Sequence, residues 1–366
     1  MRKLPLHSVK EGQVIARPIY NSNGQILLQS GIKISRRYVD RLMELGISAV
    51  YVEDELSTGI RLEDVIPDEI RLKSTQLIKN LFTRHAAGHL KEKAYADIDR
   101  VTTMINEIID ELLNKRSVVV NLIDIRTYDD YLFAHSVNVC VLAVLTGITL
   151  GFSRVKLSRL AAGALLHDIG MIKMPRGIYH RLGMLTPAEQ RELEKHPVYG
   201  YDILSRELGL GKLCALIALQ HHERYSGQGY PKQLKQDEIH EMAAITGLVD
   251  FYDQLTSALV QRRSIPPNEV YELIAGTGDL LFDIRFVRAF LANITPYPAG
   301  SLVRLNTGEV AIVLENRRDL PLRPKIRILV DADGKPVDEP LELWLTGETG
   351  KTITALLDDI WPAEKQ

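Results

Sequence analysis

Residues 153–170 read SRVKLSRLAAGALLHDIG and predict a helix that leads into a pair of polar residues. Ser153 is a favoured N-cap residue, and apolar side chains recur behind it at the spacing of one helical face. The helix runs to His167-Asp168, with Gly170 just beyond. Neighbouring residues on a helix diverge by about 100°, so these two side chains cannot share one ordinary apolar core. The pair is therefore a candidate for chemistry.

Further histidines follow this pair within a short distance. His196 comes next, then the adjacent pair His221-His222, and then Gly229-Tyr230-Pro231. A single histidine on an apolar face is usually an ordinary buried residue. The side chains of His221 and His222, however, diverge like those of His167 and Asp168, so this second pair cannot share one apolar core either. Imidazole and carboxylate together are the ligands of hydrolytic transition-metal sites. We therefore predict a metal site.

The candidate ligands are numerous enough for two metal ions. Two ions about 3.5–4 Å apart need several protein ligands, one of which bridges them. With one histidine upstream and one aspartate downstream, the set is His135, His167, Asp168, His196, His221, His222 and Asp250. Asp168 is the expected bridge, because its two oxygens can reach two ions. Water held between two cations loses a proton near neutral pH, which favours hydrolysis of a phosphoester.

The composition is typical of an ordinary soluble protein of more than one domain. The chain has 366 residues, of which 45% are hydrophobic and 25% charged. A net charge of -2 provides no general attraction for nucleic acid or anionic membrane. Cys140 and Cys214 are expected to be buried free thiols in a reducing compartment. The start of the chain lacks a signal-peptide core, and the apolar run around Val137 to Phe152 is shorter than the ~20 residues of a membrane span. We expect a cytoplasmic protein.

Periodicity predicts a mainly α fold in four segments. Residues 1–60 form a small α/β unit, with a hairpin around Asn21 to Gly24, a helix from Ser35 to Gly46 and a strand at Ala49 to Val52. Residues 61–115 form a helical hairpin with a break at Gly88, packed on the next domain or on a second protomer. Residues 116–295 form the helical domain, and residues 296–366 form a β-rich module packed on it, with Trp344 and Trp361 as candidate anchors.

Several local signals refine this outline. His85 and His89 stand four residues apart without a carboxylate in register, so we interpret them as part of a solvated helix face. Thr186 to Glu189 is a capping box whose helix is expected to end near His196-Pro197. Helices are also predicted from Gly211 to His222 and from Glu238 to Thr256, and a hairpin around Asn306 to Gly308.

The order of these motifs resembles one known family. His135, Leu166 to Gly170, His196-Pro197, Gln220 to Glu223, Gly229 to Pro231 and Asp250 to Asp253 are similar to the motifs of the HD-GYP family, over about residues 123–294. This subgroup of the HD-domain phosphohydrolases hydrolyses the bacterial messenger cyclic di-GMP. The resemblance implies metal ligation by the seven residues above, with His167 and Asp168 at the centre of catalysis. It also implies two divalent ions, iron or manganese, although the ligand types alone do not exclude zinc.

The chain departs from the family pattern at several positions. Tyr131 stands where some members have a glutamate that binds a third metal, which favours two ions here. Met171 replaces a lysine that faces a substrate phosphate, and Leu259 replaces an arginine with the same role. Ser226 replaces the aspartate ahead of Gly-Tyr-Pro, and Ala134 replaces an arginine before the first ligand.

Substrate contacts are implied for Gly229, Tyr230, Pro231 and Asp253, and Lys173 and Arg262 are the candidate replacement cations. A charged contact to phosphate contributes about 1.5–3 kcal/mol, so two losses weaken binding unless other cations substitute. Lys173 either reaches the phosphate or is simply solvated. Tyr230 either bonds to substrate, offers a surface to other signalling proteins, or packs against its own domain.

Three functions remain in competition. The leading hypothesis is a homodimeric phosphodiesterase that opens cyclic di-GMP to linear pGpG, with GMP as a further product. The first alternative is a catalytically weak nucleotide receptor or signalling adaptor, motivated by the altered phosphate contacts. The second is a hydrolase of another cyclic dinucleotide or of a nucleotide monoester.

Overall fold

The computed structural model describes residues 1–21, 24–47, 49–60, 64–86, 94–115, 131–175, 178, 185–207, 211–257 and 265–358. Helices dominate the centre of the chain, and small β-units lie at both ends. The predicted mainly α fold is confirmed.

The N-terminal unit consists of a three-stranded sheet, a two-stranded hairpin and one helix. Its elements are β1 (Arg2–Pro5), β2 (Val14–Ile15), β3 (Ile19–Tyr20), β4 (Ile26–Leu28), α1 (Arg36–Glu44) and β5 (Ala49–Glu53). Strand β5 lies between β1 and β2, and β3 pairs with β4 around the expected turn, whose residues 22–23 lie outside the described ranges. Ser35 caps α1 by accepting the backbone N–H of Tyr38, and Gly46 follows the helix at φ 79°. The predicted hairpin, helix and strand are confirmed.

Two long helices, α2 (Asp68–Ala86) and α3 (Ala94–Asn114), connect this unit to the helical domain. Their apolar faces share one buried cluster with the helices that follow, so they pack on their own chain. His85 is 4% exposed, so its interpretation as a solvated residue was wrong. The reason is helical spacing: His85 follows buried Ile78 and Leu81 on the same face. Gly88 and His89 lie outside the described residues.

The helical domain is a bundle around one central apolar helix. Its helices are α4 (Tyr131–Thr149), α5 (Arg154–Leu165), α6 (Pro187–Leu193), α7 (His196–Asp202), α8 (Lys212–Gln220), α9 (Glu241–Thr256), α10 (Pro267–Ala275) and α11 (Ile284–Leu291). Helix α4 packs against α5, α9 and α11. By length and composition it is the one helix in the described part of the chain that could cross a membrane, but 78% of its apolar window is buried inside the protein.

The predicted helix starts at Ser153 and Thr186 are confirmed, and one predicted helix end is wrong. Ser153 accepts the backbone N–H of Lys156, and Thr186 forms the expected capping box with Glu189. However, α6 ends at Leu193, and His196 begins the new helix α7. Proline has no N–H to donate, so it is tolerated in a first turn, and Pro197 marks a start here.

The C-terminal module is a five-stranded antiparallel sheet. Its strands are β6 (Leu302–Leu305), β7 (Val310–Glu315), β8 (Lys325–Val330), β9 (Glu342–Trp344) and β10 (Ile353–Leu357), in the order β10-β6-β7-β8-β9. Strands β6 and β7 form the expected hairpin. The module touches the helical domain through Arg318, which donates to the Ala292 carbonyl oxygen, and it also shares an apolar cluster with Tyr51 and Ile60 of the N-terminal unit. Trp344 is half-buried on β9, and Trp361 lies outside the described ranges.

Candidate metal centre

The seven predicted ligands converge from five helices. His135 lies near the start of α4, and Asp250 lies in the middle of α9. The pair His167-Asp168 directly follows α5, His196 is the first residue of α7, and His221-His222 directly follow α8. Each of the seven residues is at most 9% exposed. Because both pairs lie in turns after a helix, neighbouring side chains can point to the same place.

Asp168 lies between two groups of histidines. Its Oδ1 is 3.2 Å from Nε2 of His196 and 3.6 Å from Nε2 of His221. Its Oδ2 is 3.5 Å from Nε2 of His167 and 3.9 Å from Nε2 of His135. One carboxylate therefore presents one oxygen to each group, which is the arrangement required of a bridge.

Asp250 completes the group formed by His135 and His167. Its Oδ1 is 3.1 Å from Nε2 of His135 and 3.8 Å from Nε2 of His167. Its Oδ2 lies 3.9 Å from Nδ1 of His222, on the side of the other group. The ligand atoms thus form two neighbouring clusters, one with His135, His167 and Asp250 and one with Asp168, His196, His221 and His222.

Three of the imidazoles are oriented by the same local hydrogen bond. Nδ1 of His167, His196 and His221 each lies 2.7–2.8 Å from the carbonyl oxygen three residues earlier. A carbonyl oxygen can only accept, so Nδ1 carries the proton and donates. The lone pair of Nε2 then points into the cluster, which is the form of imidazole that binds a metal ion.

Two polar atoms in the cluster have no hydrogen-bond partner among the described residues. They are Nε2 of His167 and Oδ2 of Asp250, and both are fully buried. An unpaired buried acceptor costs free energy, so such groups call for a ligand. Two lone pairs facing a site of imidazoles and carboxylates suit a divalent cation, and we conclude that the residues fit bound metal.

The pKa values of the groups in the cluster also favour a bound cation. Although burial opposes ionisation, the neighbouring His167, His196 and His221 hold the pKa of Asp168 well below its usual value. Burial would lower the pKa of His135, but hydrogen bonds to Asp250 and Asp253 raise it to about 10. Burial lowers the pKa of His221 to about 4. Protons on some imidazoles thus balance ionised carboxylates, and a bound cation would replace those protons.

Gly170 allows the segment after Asp168 to lie against α7. A Cβ atom at this position would be 1.9 Å from the carbonyl oxygen of His196 and 2.6 Å from the backbone nitrogen of Gly200. Both are backbone atoms and cannot move aside, so only glycine brings the two ligand segments this close.

The Gly-Tyr-Pro loop is held against the second group of ligands. The ring of Tyr230 stacks on the ring of His222 with centroids 4.6 Å apart, and its backbone N–H donates to the His222 carbonyl oxygen. A Cβ atom on Gly229 would lie 2.4 Å from that same oxygen. The peptide bond between Tyr230 and Pro231 is cis.

Glu223 anchors the far side of this loop. Its two carboxylate oxygens accept the backbone N–H groups of Lys232 at 2.7 Å and Leu234 at 2.9 Å, and the residue is 3% exposed. The sequence motif contains Glu223 but assigns it no role. The one sequence feature that could have indicated a role for Glu223 is its position directly after the predicted ligand His222.

Asp253 lies behind His135 instead of facing the open side of the site. Its Oδ2 accepts the Nδ1 proton of His135 at 2.6 Å, and its Oδ1 accepts the side-chain amide of Asn138 at 3.1 Å. The residue is 1% exposed. This geometry favours a role in orienting His135, which no sequence pattern indicated, over the substrate contact that the resemblance implied.

The positions considered as phosphate contacts differ in their exposure. Met171 is buried at 6% exposure in the 3-10 turn Ile169–Lys173, whereas Lys173 at its end is exposed. Such a turn rotates about 120° per residue, so Lys173 points away from Met171. Leu259 and Arg262 lie outside the described ranges.

Two of the other three departures from the family pattern, Tyr131 and Ser226, have clear surroundings. Tyr131 is buried and stacks on His135, with centroids 5.4 Å apart. The backbone N–H of Ser226 donates to the carbonyl oxygen of Leu280, which ties this position to the α10–α11 connection.

Comparison with known proteins shows that the residues of this site lie within a segment similar to a known domain. Residues 118–285 match the family model described as HD domain, and residues 302–358 match that of a KOW domain associated with HD domain. A Pseudomonas aeruginosa protein named cyclic di-GMP phosphodiesterase PA4108 is 30% identical over 256 residues, which are 70% of this chain and 61% of that protein. A Thermotoga maritima protein named cyclic di-GMP phosphodiesterase is 30% identical over 227 residues, or 61% of each chain.

The chain thus spans about 61% of the length of these two curated relatives. Among solved structures, an HDG"Y"P protein from Bdellovibrio bacteriovorus is 18% identical, with a TM-score of 0.48 over 79% of this chain and 97% of that one.

Proposed function

We propose that this chain, a member of the HD-GYP family of HD-domain proteins, is a metal-dependent phosphodiesterase that hydrolyses cyclic di-GMP. The observation that carries the proposal is the placement of Asp168, whose two oxygens face two separate groups of histidines. The names of the relatives supply the substrate class, and the products are linear pGpG and then GMP.

The proposed centre holds two divalent ions, iron or manganese, on His135, His167, Asp168, His196, His221, His222 and Asp250. When bound, such ions lower the pKa of a water molecule and neutralise charge on phosphoryl oxygens. Asp168 orients both groups of ligands relative to each other. The fixed Nδ1–H donors of His167, His196 and His221 keep their lone pairs directed inward without reorganisation.

Substrate is proposed to enter beside the Gly-Tyr-Pro loop. Gly229 and Pro231 hold the backbone close to the ligands, and Tyr230 presents an aromatic ring and a hydroxyl group next to His222. Flat, stacked rings suit a guanine base or its ribose edge. Lys173 and Arg262 remain the candidate cations for the phosphate, and the exposed position of Lys173 means that it would have to reorient to serve.

The proposal is tested with the full-length chain, purified without oxygen and loaded with Mn²⁺ or Fe²⁺. Chromatography should show cyclic di-GMP converted to pGpG, and metal analysis should show two ions per chain. Asp168→Asn should lose both activity and metal, while Asp202→Asn, an exposed carboxylate on α7, should keep both. A folded wild-type protein without turnover with either metal would overturn the proposed activity. Two ions retained in Asp168→Asn would overturn the bridging role.

A nucleotide receptor with little catalysis is the second candidate, and buried Met171 favours it. This position holds a lysine in the family pattern, so the native site has one cation fewer near the phosphate. Calorimetry with cyclic di-GMP separates the two functions, because a receptor binds without turnover. Met171→Lys should then raise hydrolysis tenfold or more, whereas an unchanged rate would show that another cation compensates.

The same assay with a panel of other cyclic dinucleotides and nucleotide monoesters tests the substrate. The homodimer, the binding of other signalling proteins to the Gly-Tyr-Pro loop and the cytoplasmic location stay predictions. Light scattering of the purified chain tests the first of these.

A further inference from the structure

A line of buried polar side chains runs from helix α2 to the metal centre. Asp64 and Arg71 form a two-pronged ion pair, with Nη2 of the arginine 3.0 Å from each carboxylate oxygen. Arg71 also donates through Nη1 to the side-chain oxygen of Asn138. The amide of Asn138 donates to Asp253, which accepts from His135. We call Asp64, Arg71, Asn138 and Asp253 the hydrogen-bonded chain.

We propose that Arg71 is a positioning residue of the metal centre, which fixes the orientation of the ligand His135 through two intervening side chains. The inference rests on the proposed metal centre and not on the identity of the substrate.

The direction of every bond in the hydrogen-bonded chain is determined by chemistry. A guanidinium group can only donate, so the Asn138 oxygen must face Arg71. The NH2 group of Asn138 then faces Asp253, which can only accept as a carboxylate. A flipped amide would place an oxygen against a carboxylate and NH2 against a guanidinium. Arg71 therefore selects the amide orientation that supports Asp253.

The last bond sets the state of the metal ligand. Oδ2 of Asp253 lies 2.6 Å from Nδ1 of His135, so Nδ1 donates to Asp253 and Nε2, the atom that would bind metal, faces Asp250 and Asp168. His135 differs here from His167, His196 and His221, whose Nδ1 donates to a carbonyl oxygen within three residues. His135 alone among these four is oriented by distant side chains.

Burial makes these contacts strong. Asn138 and Asp253 are each 1% exposed, and the side chains of Arg71 and Asp64 are 13% and 5% exposed. Water cannot replace a lost partner at such positions, so removal of one group takes a buried hydrogen bond away from the next. Loss of a residue that orients a metal-binding histidine typically costs 10–100-fold in metal affinity.

The start of the hydrogen-bonded chain adjoins the N-terminal unit. Arg17, between β2 and β3, forms an ion pair at 2.5 Å with Asp68 in the first turn of α2, one turn before Arg71. Lys115, just after α3, donates to the carbonyl oxygen of Asp64. A displacement of α2 relative to α4 would therefore be transmitted to His135 through Asn138 and Asp253.

The test uses Co²⁺ binding to the metal-stripped, full-length protein, because its visible spectrum reports the number and type of ligands. Arg71→Met should weaken Co²⁺ binding by roughly 10-fold or more and change the spectrum. The matched control is Arg154→Met, which removes another two-pronged ion pair between a connecting helix and the helical domain, Arg154 with Asp110. That pair is exposed and leads to no ligand, so the control should bind Co²⁺ as the wild type does.

Asn138→Ala tests whether the residues act in series. If they do, Arg71→Met combined with Asn138→Ala should bind Co²⁺ no more weakly than Asn138→Ala alone. Losses that multiply would overturn the inference.

The outcomes separate the two proposals. A wild-type protein that binds no Co²⁺ overturns the proposed metal centre. A wild type that binds Co²⁺, with Arg71→Met indistinguishable from Arg154→Met, overturns only the role of Arg71. Circular dichroism and melting of the stripped proteins check folding. If Arg71→Met does not fold, Asp64→Asn, which keeps the arginine but weakens its anchor, is judged by the same affinity and spectrum.

Discussion

Glu223→Gln tests whether a buried carboxylate holds the Gly-Tyr-Pro loop against the metal centre. In the native protein one carboxylate oxygen accepts from the backbone of Lys232 and the other from that of Leu234. Glutamine has the same shape, but its NH2 group replaces one acceptor and faces a backbone N–H. The variant therefore loses one hydrogen bond to a charged group and gains an unpaired donor.

The magnitude follows from that single bond. A buried hydrogen bond to a charged group contributes about 1.5–3 kcal/mol. Since about 1.4 kcal/mol corresponds to a factor of ten in an equilibrium constant, the loop should open roughly 10- to 140-fold more often. Hydrogen exchange of a peptide that covers residues 229–234 measures this opening, and its rate should rise by the same factor.

Glu238→Gln is the matched control for this experiment. Glu238 also accepts a backbone N–H, that of Lys235 at 2.8 Å, but it is exposed, so water replaces the lost contact. We expect exchange in residues 229–234 of this variant to match the wild type. If Glu223→Gln also matched the wild type, the anchoring role of Glu223 would be refuted.

Three further predictions concern the metal centre and the core. Although burial lowers the pKa of His135, the hydrogen bonds that its ring donates to Asp250 and Asp253 raise that pKa to about 10. Without metal both ring nitrogens therefore carry a proton at neutral pH, and the proton on Nε2, which faces Asp250, must leave when an ion binds. Metal affinity should therefore rise as pH increases toward 10, and calorimetry in buffers of different ionisation enthalpy should detect proton release; pH-independent affinity would contradict this. Gly170→Ala should reduce the amount of bound metal and lower the melting temperature, because the added Cβ atom would clash with the backbone of α7. Gly347→Ala should change neither quantity, because a Cβ atom at that position has no neighbour within 4 Å. Burial raises the pKa of both Cys140 and Cys214 to about 12, so Ellman's reagent at pH 8 should label neither thiol until the protein is unfolded; rapid labelling of the native protein would show that a thiol is accessible.

Local patterns were sufficient to predict most of the secondary structure. Ser153 and the Thr186 capping box mark helix starts through bonds within a few residues, and those bonds form as expected. The prediction at Pro197 was wrong because proline is common both after a helix end and in a first turn, and the local sequence does not separate these cases. The interpretation of His85 was wrong because the position of this residue on the apolar face of α2 determines its burial more strongly than its polar side chain does.

The types of the metal ligands and their order along the chain could be predicted from the sequence by itself, because coordination chemistry depends on residue identity. Adjacent pairs such as His221-His222 could not be explained as ordinary core, and this made the candidate site visible from residue order alone. The tertiary structure decided how those ligands are arranged and supported. Asp168 faces two histidine groups, and Asn138 bonds to Asp253 across 115 residues of sequence.

Arg71 reaches Asn138 across 67 residues from a helix that carries no metal ligand. Such contacts depend on how α2, α4 and α9 pack, and packing is a sum of many weak apolar contacts with no local signature. The sequence therefore determined which side chains could bind metal, and only the fold decided which other side chains orient them.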